Sequence, residues 1–159
     1  MLVATWNVNS IRSRIDLVKE WLVNTKVDIL CLQETKTEDQ FFPVEIFSKL
    51  GYEVSISGQK SYNGVAIISL FPIRDIKIGF ETVISDNKDL SILSQQKRII
   101  SAEINGIRFI NVYVPNGSSL DSDKFIYKEK WIECLQVYLR RINSNHTPIC
   151  LLGDFNIAP

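Results

Sequence analysis

Arg98-Ile99-Ile100-Ser101-Ala102-Glu103-Ile104-Asn105-Gly106-Ile107-Arg108-Phe109-Ile110-Asn111-Val112-Tyr113-Val114 is the stretch on which the fold turns. Two alternating runs rich in β-branched residues, Arg98–Ile104 and Ile107–Val114, flank Asn105-Gly106. That dipeptide tolerates the positive φ angles of a tight hairpin turn, so the stretch predicts two antiparallel strands. Pro115 and Gly117 break the second run. Further on, Trp131, Leu135, Tyr138 and Ile142 recur at helical spacing and mark the buried stripe of a long helix capped near Asp121 or Ser122. Pro148 then introduces a last apolar run, Ile149–Leu152, which ends in Gly153-Asp154-Phe155-Asn156.

Upstream of the hairpin, the chain alternates between strand and helix periods. Leu2–Trp6 is β-rich, and Ile11, Ile15, Val18 and Leu22 follow at helical spacing. Val27–Gln33 is an apolar run with one polar residue, Asp28, and reads as a strand buried on both faces. Phe41–Leu50 predicts a short helix, with Pro43 tolerated near its start and Gly51 at its end. Tyr52–Ser57 and Val65–Leu70 predict paired strands joined by a polar loop that ends in Tyr62-Asn63-Gly64, and Pro72 stops the second. Gly79–Gln96, rich in Ser, Asp and Asn, reads as mostly loop. Strands and helices mixed in this way predict a layered α/β fold with a mixed sheet.

The 159 residues are of one-domain length, with no internal repeat and no linker, so residues 1–159 read as a single domain. The composition, 45% hydrophobic and 23% charged, excludes a disordered tail or a low-complexity scaffold. The 18 basic and 18 acidic residues balance, which argues against a binder working by bulk charge but leaves room for a locally basic groove. No apolar run has membrane-spanning length, and no signal peptide is read at the N-terminus. Cys31, Cys134 and Cys150 have no short spacing and read as reduced thiols, which makes a cytoplasmic location the expectation.

Polar residues gather where the predicted strands end. Asn7 follows the first, Gln33-Glu34-Thr35-Lys36 the second, Tyr113, Asn116 and Gly117 close the hairpin, and Asp154 and Asn156 follow the last run. Ligand sites of open α/β sheets form where such ends converge, and carboxylates and amides are oxygen ligands of the kind Mg²⁺ accepts. Each residue also has a bland reading: a turn, a helix cap, a solvated Glu, a core Tyr. His146, in the loop between helix and last strand, matches no catalytic pattern.

At these residues the sequence resembles the exonuclease III/AP endonuclease family of the endonuclease/exonuclease/phosphatase superfamily. The resemblance is carried by Thr5-Trp6-Asn7-Val8-Asn9, Leu32-Gln33-Glu34-Thr35-Lys36, Tyr113-Val114-Pro115-Asn116-Gly117 and Gly153-Asp154-Phe155-Asn156-Ile157-Ala158-Pro159. Asn63-Gly64-Val65-Ala66-Ile67 and Lys124-Phe125-Ile126-Tyr127-Lys128 also fit, and the motifs run in family order along the whole chain. The resemblance implies a deoxyribonuclease I-like four-layer α/β sandwich, of which this chain supplies the N-terminal part. It implies a Mg²⁺-dependent DNA-repair nuclease, with Mn²⁺ as an alternative ion, that cleaves double-stranded DNA at abasic sites or trims 3′ ends. Carried over by motif, Asn7, Glu34, Asp154 and Asn156 form the metal set, and Tyr113, Asp154 and Asn156 the catalytic set. Asn116 and Arg98 fall to the DNA phosphates. Lys97 and Ser10 stand where the family favours glycine. The family's later Asn, Asp and Asp-His site residues have no counterpart here. That predicts a domain cut after a site motif, with exposed sheet surface through which the chain self-associates. Two alternatives stay open: a catalytically dead module that binds DNA or a partner, and a phosphatase acting on small phosphoesters.

Overall fold

The computed structural model describes residues 1–84, 93–119, 122–143 and 147–157. The described residues form two four-stranded sheets. In the first, β1 (Val3–Asn7), β2 (Ile29–Gln33), β3 (Glu53–Ser57) and β4 (Val65–Ser69) are ordered β1-β2-β4-β3. In the second, β5 (Arg74–Ile78), β6 (Ile99–Ile104), β7 (Ile107–Tyr113) and β8 (Ile149–Asp154) are ordered β5-β6-β7-β8. Each sheet is mixed: β1 pairs parallel with β2 and β7 parallel with β8, while the other neighbours run antiparallel.

The sheets pack face to face through an apolar seam. Ile29, Cys31, Val65 and Ile67 of the first meet Ile100, Ala102, Ile104 and Phe109 of the second. Outside the first sheet lie α1 (Ile11–Thr25) and α2 (Val44–Lys49), which bury Ile11, Val18, Leu22 and Phe47 against Leu30, Leu32, Ala66 and Ile68. Outside the second lies α3 (Asp123–Ile142), whose Trp131, Leu135 and Tyr138 pack on Ile110 and Val112. Helix, sheet, sheet, helix is the four-layer α/β sandwich. Because both sheets are covered on both faces, β2 and β4 are buried along their whole lengths, as the continuous apolar run of β2 predicts.

The hairpin forms as its sequence dictates: Asn105 and Gly106 take φ of 50° and 74°, and β6 pairs with β7 from Ile99↔Val112 to Ile104↔Ile107. Ser122 caps α3 by accepting a hydrogen bond from the Phe125 amide, and Ile142 is only partly buried at its far end. Some boundaries differ from the sequence reading. The helix read over Phe41–Leu50 is confined to Val44–Lys49, because Pro43 occupies the cap and the residues before it make a separate 3₁₀ turn at Asp39–Phe41. The strand read from Val27 starts at Ile29. β5 was not predicted at all. In Gly79–Gln96, residues 79–84 are largely turn and a helical turn falls at 93–94, while residues 85–92 lie outside those described, as do Asp121, His146, Ala158 and Pro159. None of the three cysteines is in a disulfide; Cys31 is buried and the other two half-buried. No described helix is long and apolar enough to cross a membrane.

Candidate active site

The two parallel pairs bring four strand ends to one place. Asn7 ends β1 opposite Gln33 of β2, and Tyr113 ends β7 opposite Asp154 of β8. Since β1 and β8 are the same-side neighbours of β2 and β7, the carboxyl ends of both sheets open on a common crevice, the place such sheets bind ligands.

There, side chains from both sheets meet. The Asn7 amide Nδ2 donates to Glu34 Oε1 at 2.9 Å and to Asp154 Oδ2 at 2.7 Å. One nitrogen thus bridges a carboxylate from the first sheet and a carboxylate from the second. The Tyr113 hydroxyl donates to Glu34 Oε1 at 2.8 Å, and Lys36 Nζ pairs with Glu34 Oε2 at 2.8 Å. Glu34, Lys36 and Asn9 all adopt positive φ, a costly conformation for non-glycine residues, and Lys36 Nζ also donates to Asn9 Oδ1. Asp154 is held from behind, where the Asn156 amide N–H donates to its Oδ1 at 3.0 Å. Asn156 is itself at φ 49°, with Nδ2 donating to the Val114 carbonyl at 2.8 Å and its own carbonyl accepting from Lys128 Nζ at 2.6 Å.

Beside this cluster lies a cleft of about 420 Å³ lined by Arg98, Tyr113, Asn116, Lys124 and Tyr127 among others. The Arg98 guanidinium stands 4.6 Å from the centre of the Tyr113 ring and donates to the Tyr113 carbonyl at 3.3 Å. Asn116 makes no contact with the carboxylates; its Oδ1 accepts from the Ser118 amide, which folds the loop after β7. Of the sequence-predicted residues, Asn7, Glu34, Tyr113 and Asp154 therefore form one hydrogen-bonded cluster. Asn156 acts on it through its backbone, Arg98 through the tyrosine ring, and Asn116 lines only the neighbouring cleft. Sequence reasoning assigned no role to Lys36 or Lys128. Their signal was present, since both stand inside quoted motifs, but a lysine on a strand-end loop (Lys36) or a helix surface (Lys128) reads as solvated unless its partner is known.

The protonation states follow from these contacts. Burial pushes the Glu34 carboxyl up, but hydrogen bonds from Asn7, Lys36 and Tyr113, together with the Lys36 charge, outweigh it and leave the group below its ordinary value. Glu34 is accordingly a carboxylate at neutral pH. Burial pushes the Tyr113 phenol up to about 12, reinforced by its bond to Glu34 and opposed by Arg98. The phenol therefore stays protonated and can donate. Its folded value lies above the ordinary 10.0, so its contribution to stability is complete below pH 10.0 and fades as the pH rises through about 12. Burial also raises Tyr52, Tyr127 and Tyr138, so an ultraviolet titration should show several late-ionising tyrosines, with one fewer in Tyr113→Phe; a late limb of unchanged amplitude in the variant would show that Tyr113 is not among them.

A sequence profile of the Endonuclease/Exonuclease/phosphatase family matches residues 4–159. The chain belongs to that family. It is 37% identical to exodeoxyribonuclease III of Haemophilus influenzae over 164 aligned residues, which take in the whole of this chain and 58% of the relative. Among solved structures it matches an AP endonuclease from Archaeoglobus fulgidus with a TM-score of 0.89 and 44% identity, covering all of this chain and 59% of the other. It also matches a 3′ phosphatase from Neisseria bound to a product DNA hairpin, with a TM-score of 0.88, 41% identity, and coverage of 99% and 58%. The chain thus spans a little under three fifths of the length of these family members. The likeness confirms the deoxyribonuclease I-like architecture that the motifs implied.

Proposed function

We propose that this chain carries the larger part of a divalent-cation-dependent phosphodiesterase site for DNA. The single observation behind the reading is the convergence of Glu34 and Asp154, one from each sheet, on Asn7. Among the described residues no three His, Cys, Asp or Glu side chains cluster as a self-sufficient metal cage. The oxygen-only donor set nevertheless suits Mg²⁺ or Mn²⁺, because Mg²⁺ is usually held by one or two carboxylates, with waters and substrate phosphate completing its shell. Glu34, Asp154 and the amides of Asn7 and Asn156 would hold it. When bound, such an ion stabilises negative charge developing on the phosphoryl oxygens.

The chain's own groups supply the rest. Asp154 accepts a proton from the attacking water, its orientation held by the Asn156 amide. The Tyr113 hydroxyl, whose one proton goes to Glu34 in the absence of substrate, turns it to a phosphoryl oxygen from a ring held under Arg98. Asn116 and Lys124, in the adjoining cleft, take neighbouring phosphates, so binding falls with salt and ignores sequence. An abasic nucleotide has no base to unstack, which lowers the cost of bringing it into the site. Duplex DNA with an abasic site or a free 3′ end is the substrate class. Incision of a duplex bearing one abasic site is the test, run with Mg²⁺, with EDTA, and with Glu34→Gln. The expected result is cleavage that requires the ion and is lost in the variant; no cleavage by a chain shown to be folded would favour the non-catalytic DNA-binding alternative. The other alternative is a phosphatase acting on small phosphoesters; the 3′ phosphatase among the similar structures is bound to a DNA hairpin instead. Release of inorganic phosphate from small phosphoesters without DNA cleavage would select it.

Self-association is part of the same proposal. Among the described residues β1 pairs only with β2 and β8 only with β7, leaving one edge of each strand open on the same side of the sandwich. All of β8 is half-buried rather than buried, and Leu2 and Ile157 near these edges are largely exposed. Such edges template pairing with another chain. Light scattering coupled to size exclusion should report dimers or larger species at micromolar concentration; a clean monomer would contradict this.

A further inference from the structure

Two amides are buried in the seam between the sheets, where every other neighbour named above is apolar. Gln33, at the end of β2, and Asn111, in the middle of β7, are 1% and 0% exposed. The Gln33 amide donates to Asn111 Oδ1 at 2.7 Å, to Thr5 Oγ1 at 2.9 Å and to the Cys31 carbonyl at 3.1 Å. The Asn111 amide crosses the seam in the other direction, donating to the carbonyls of Leu32 and Ala66, both at 2.9 Å. Methyl groups packed face to face resist separation but give no directional restraint, whereas short hydrogen bonds fix position. Buried polar groups cost free energy unless fully bonded, so this pair adds little net stability for what it constrains.

Its place is what gives it a consequence. Gln33 immediately precedes Glu34, and Asn111 lies two residues before Tyr113 on the same strand, paired with Leu152 two residues before Asp154. We infer that Gln33 and Asn111 are positioning residues: their hydrogen bonds across the seam hold Glu34 of one sheet at Tyr113 and Asp154 of the other. The cation arm of the test rests on the site proposed above; the tyrosine arm does not.

The test compares the wild-type chain with Gln33→Leu/Asn111→Leu, which removes both amides together, and with Gln33→Met, which removes the Gln33 bonds to Asn111, Thr5 and the Cys31 carbonyl but leaves Asn111 bonded to the Leu32 and Ala66 carbonyls. Replacing both amides is nearly neutral for the bond between them, but the Leu32, Ala66 and Cys31 carbonyls and the Thr5 hydroxyl lose a donor. Thermal unfolding of the double variant should therefore stay cooperative at a lowered midpoint. Two readouts report the site: the ¹³Cζ resonance of Tyr113, assigned with Tyr113→Phe, and Mn²⁺ affinity by electron paramagnetic resonance. The Tyr113 signal should shift and broaden, and Mn²⁺ affinity should fall by about tenfold or more, as for other groups that orient metal ligands. Folded variants with an unchanged Tyr113 resonance would overturn the inference. Should the double variant fail to fold, Gln33→Met decides by the same resonance. Wild-type protein without Glu34-dependent Mn²⁺ binding would sink the cation site instead, and the Tyr113 resonance alone would decide the positioning role.

Discussion

Asp154→Asn is expected to lower abasic-site incision by about 100-fold or more, the usual scale for losing a general base, while leaving DNA affinity nearly intact. The carboxylate accepts from two donors at once, the Asn156 amide on Oδ1 and Asn7 Nδ2 on Oδ2. An asparagine has a single acceptor oxygen, so it keeps one of these bonds and loses the other. That costs on the order of 1 kcal/mol of stability, too little to unfold the chain. The amide cannot take a proton from water, and the lost negative charge, if anything, favours the approach of phosphate. Single-turnover cleavage and fluorescence anisotropy on the same duplex separate the two quantities. Equal losses in binding and turnover would make Asp154 a structural group.

The second large effect belongs to Gly153. It stands in β8 at φ +144°, paired with Val112, and a Cβ built on it would come within 1.9 Å of the Val112 carbonyl oxygen and 2.8 Å of the Val112 N and C. These are backbone atoms of the neighbouring strand, so no rotamer change relieves the clash and β8 must move off β7. Gly153→Ala should cost about 3 kcal/mol or more, placing it among substitutions with a specific backbone cause. At roughly 2–4 °C per kcal/mol for a domain of this size, the melting temperature should fall by about 6–12 °C. Because Asp154 is the next residue, the variant should also lose the Asn7–Asp154 contact. Circular dichroism melts check the first effect, and a melt unchanged from wild type would show that the strands tolerate the added carbon.

The sequence made some of this legible for physical reasons that can be named. The hairpin was visible because Asn105-Gly106 supplies the two positive φ angles locally, between two β-branched runs. α3 was visible because Trp131, Leu135 and Tyr138 hold one face at helical period. β5 was not, because it is a short edge strand of largely exposed residues whose pairing with β6 is itself irregular between Arg74 and Lys77. Its place depends on a distant residue, the nearly buried Arg108 of β7, which pairs with Asp75. Nor could local pattern disclose that β1 lies beside β2 and β7 beside β8, since parallel neighbours are joined by long crossovers. For the site, the motifs named Asn7, Glu34, Tyr113 and Asp154, and the fold brings those four into one hydrogen-bonded cluster. Asn111 was passed over because a single amide inside an apolar strand reads as an interruption until its partners across the seam are known.

On the proposed reading, carboxylates from two different sheets, Glu34 and Asp154, serve one cation. Calorimetric titration with Mg²⁺ addresses it directly, using the wild-type chain, Glu34→Gln and Asp154→Asn. Glu34→Gln should leave the fold nearly unchanged, because its ion pair with Lys36 is partly exposed and worth little. One binding site in the wild type, weakened by about tenfold or more in each variant, is the predicted result. Wild-type affinity in both variants, or a loss in only one of them, would mean that the two sheets do not share an ion.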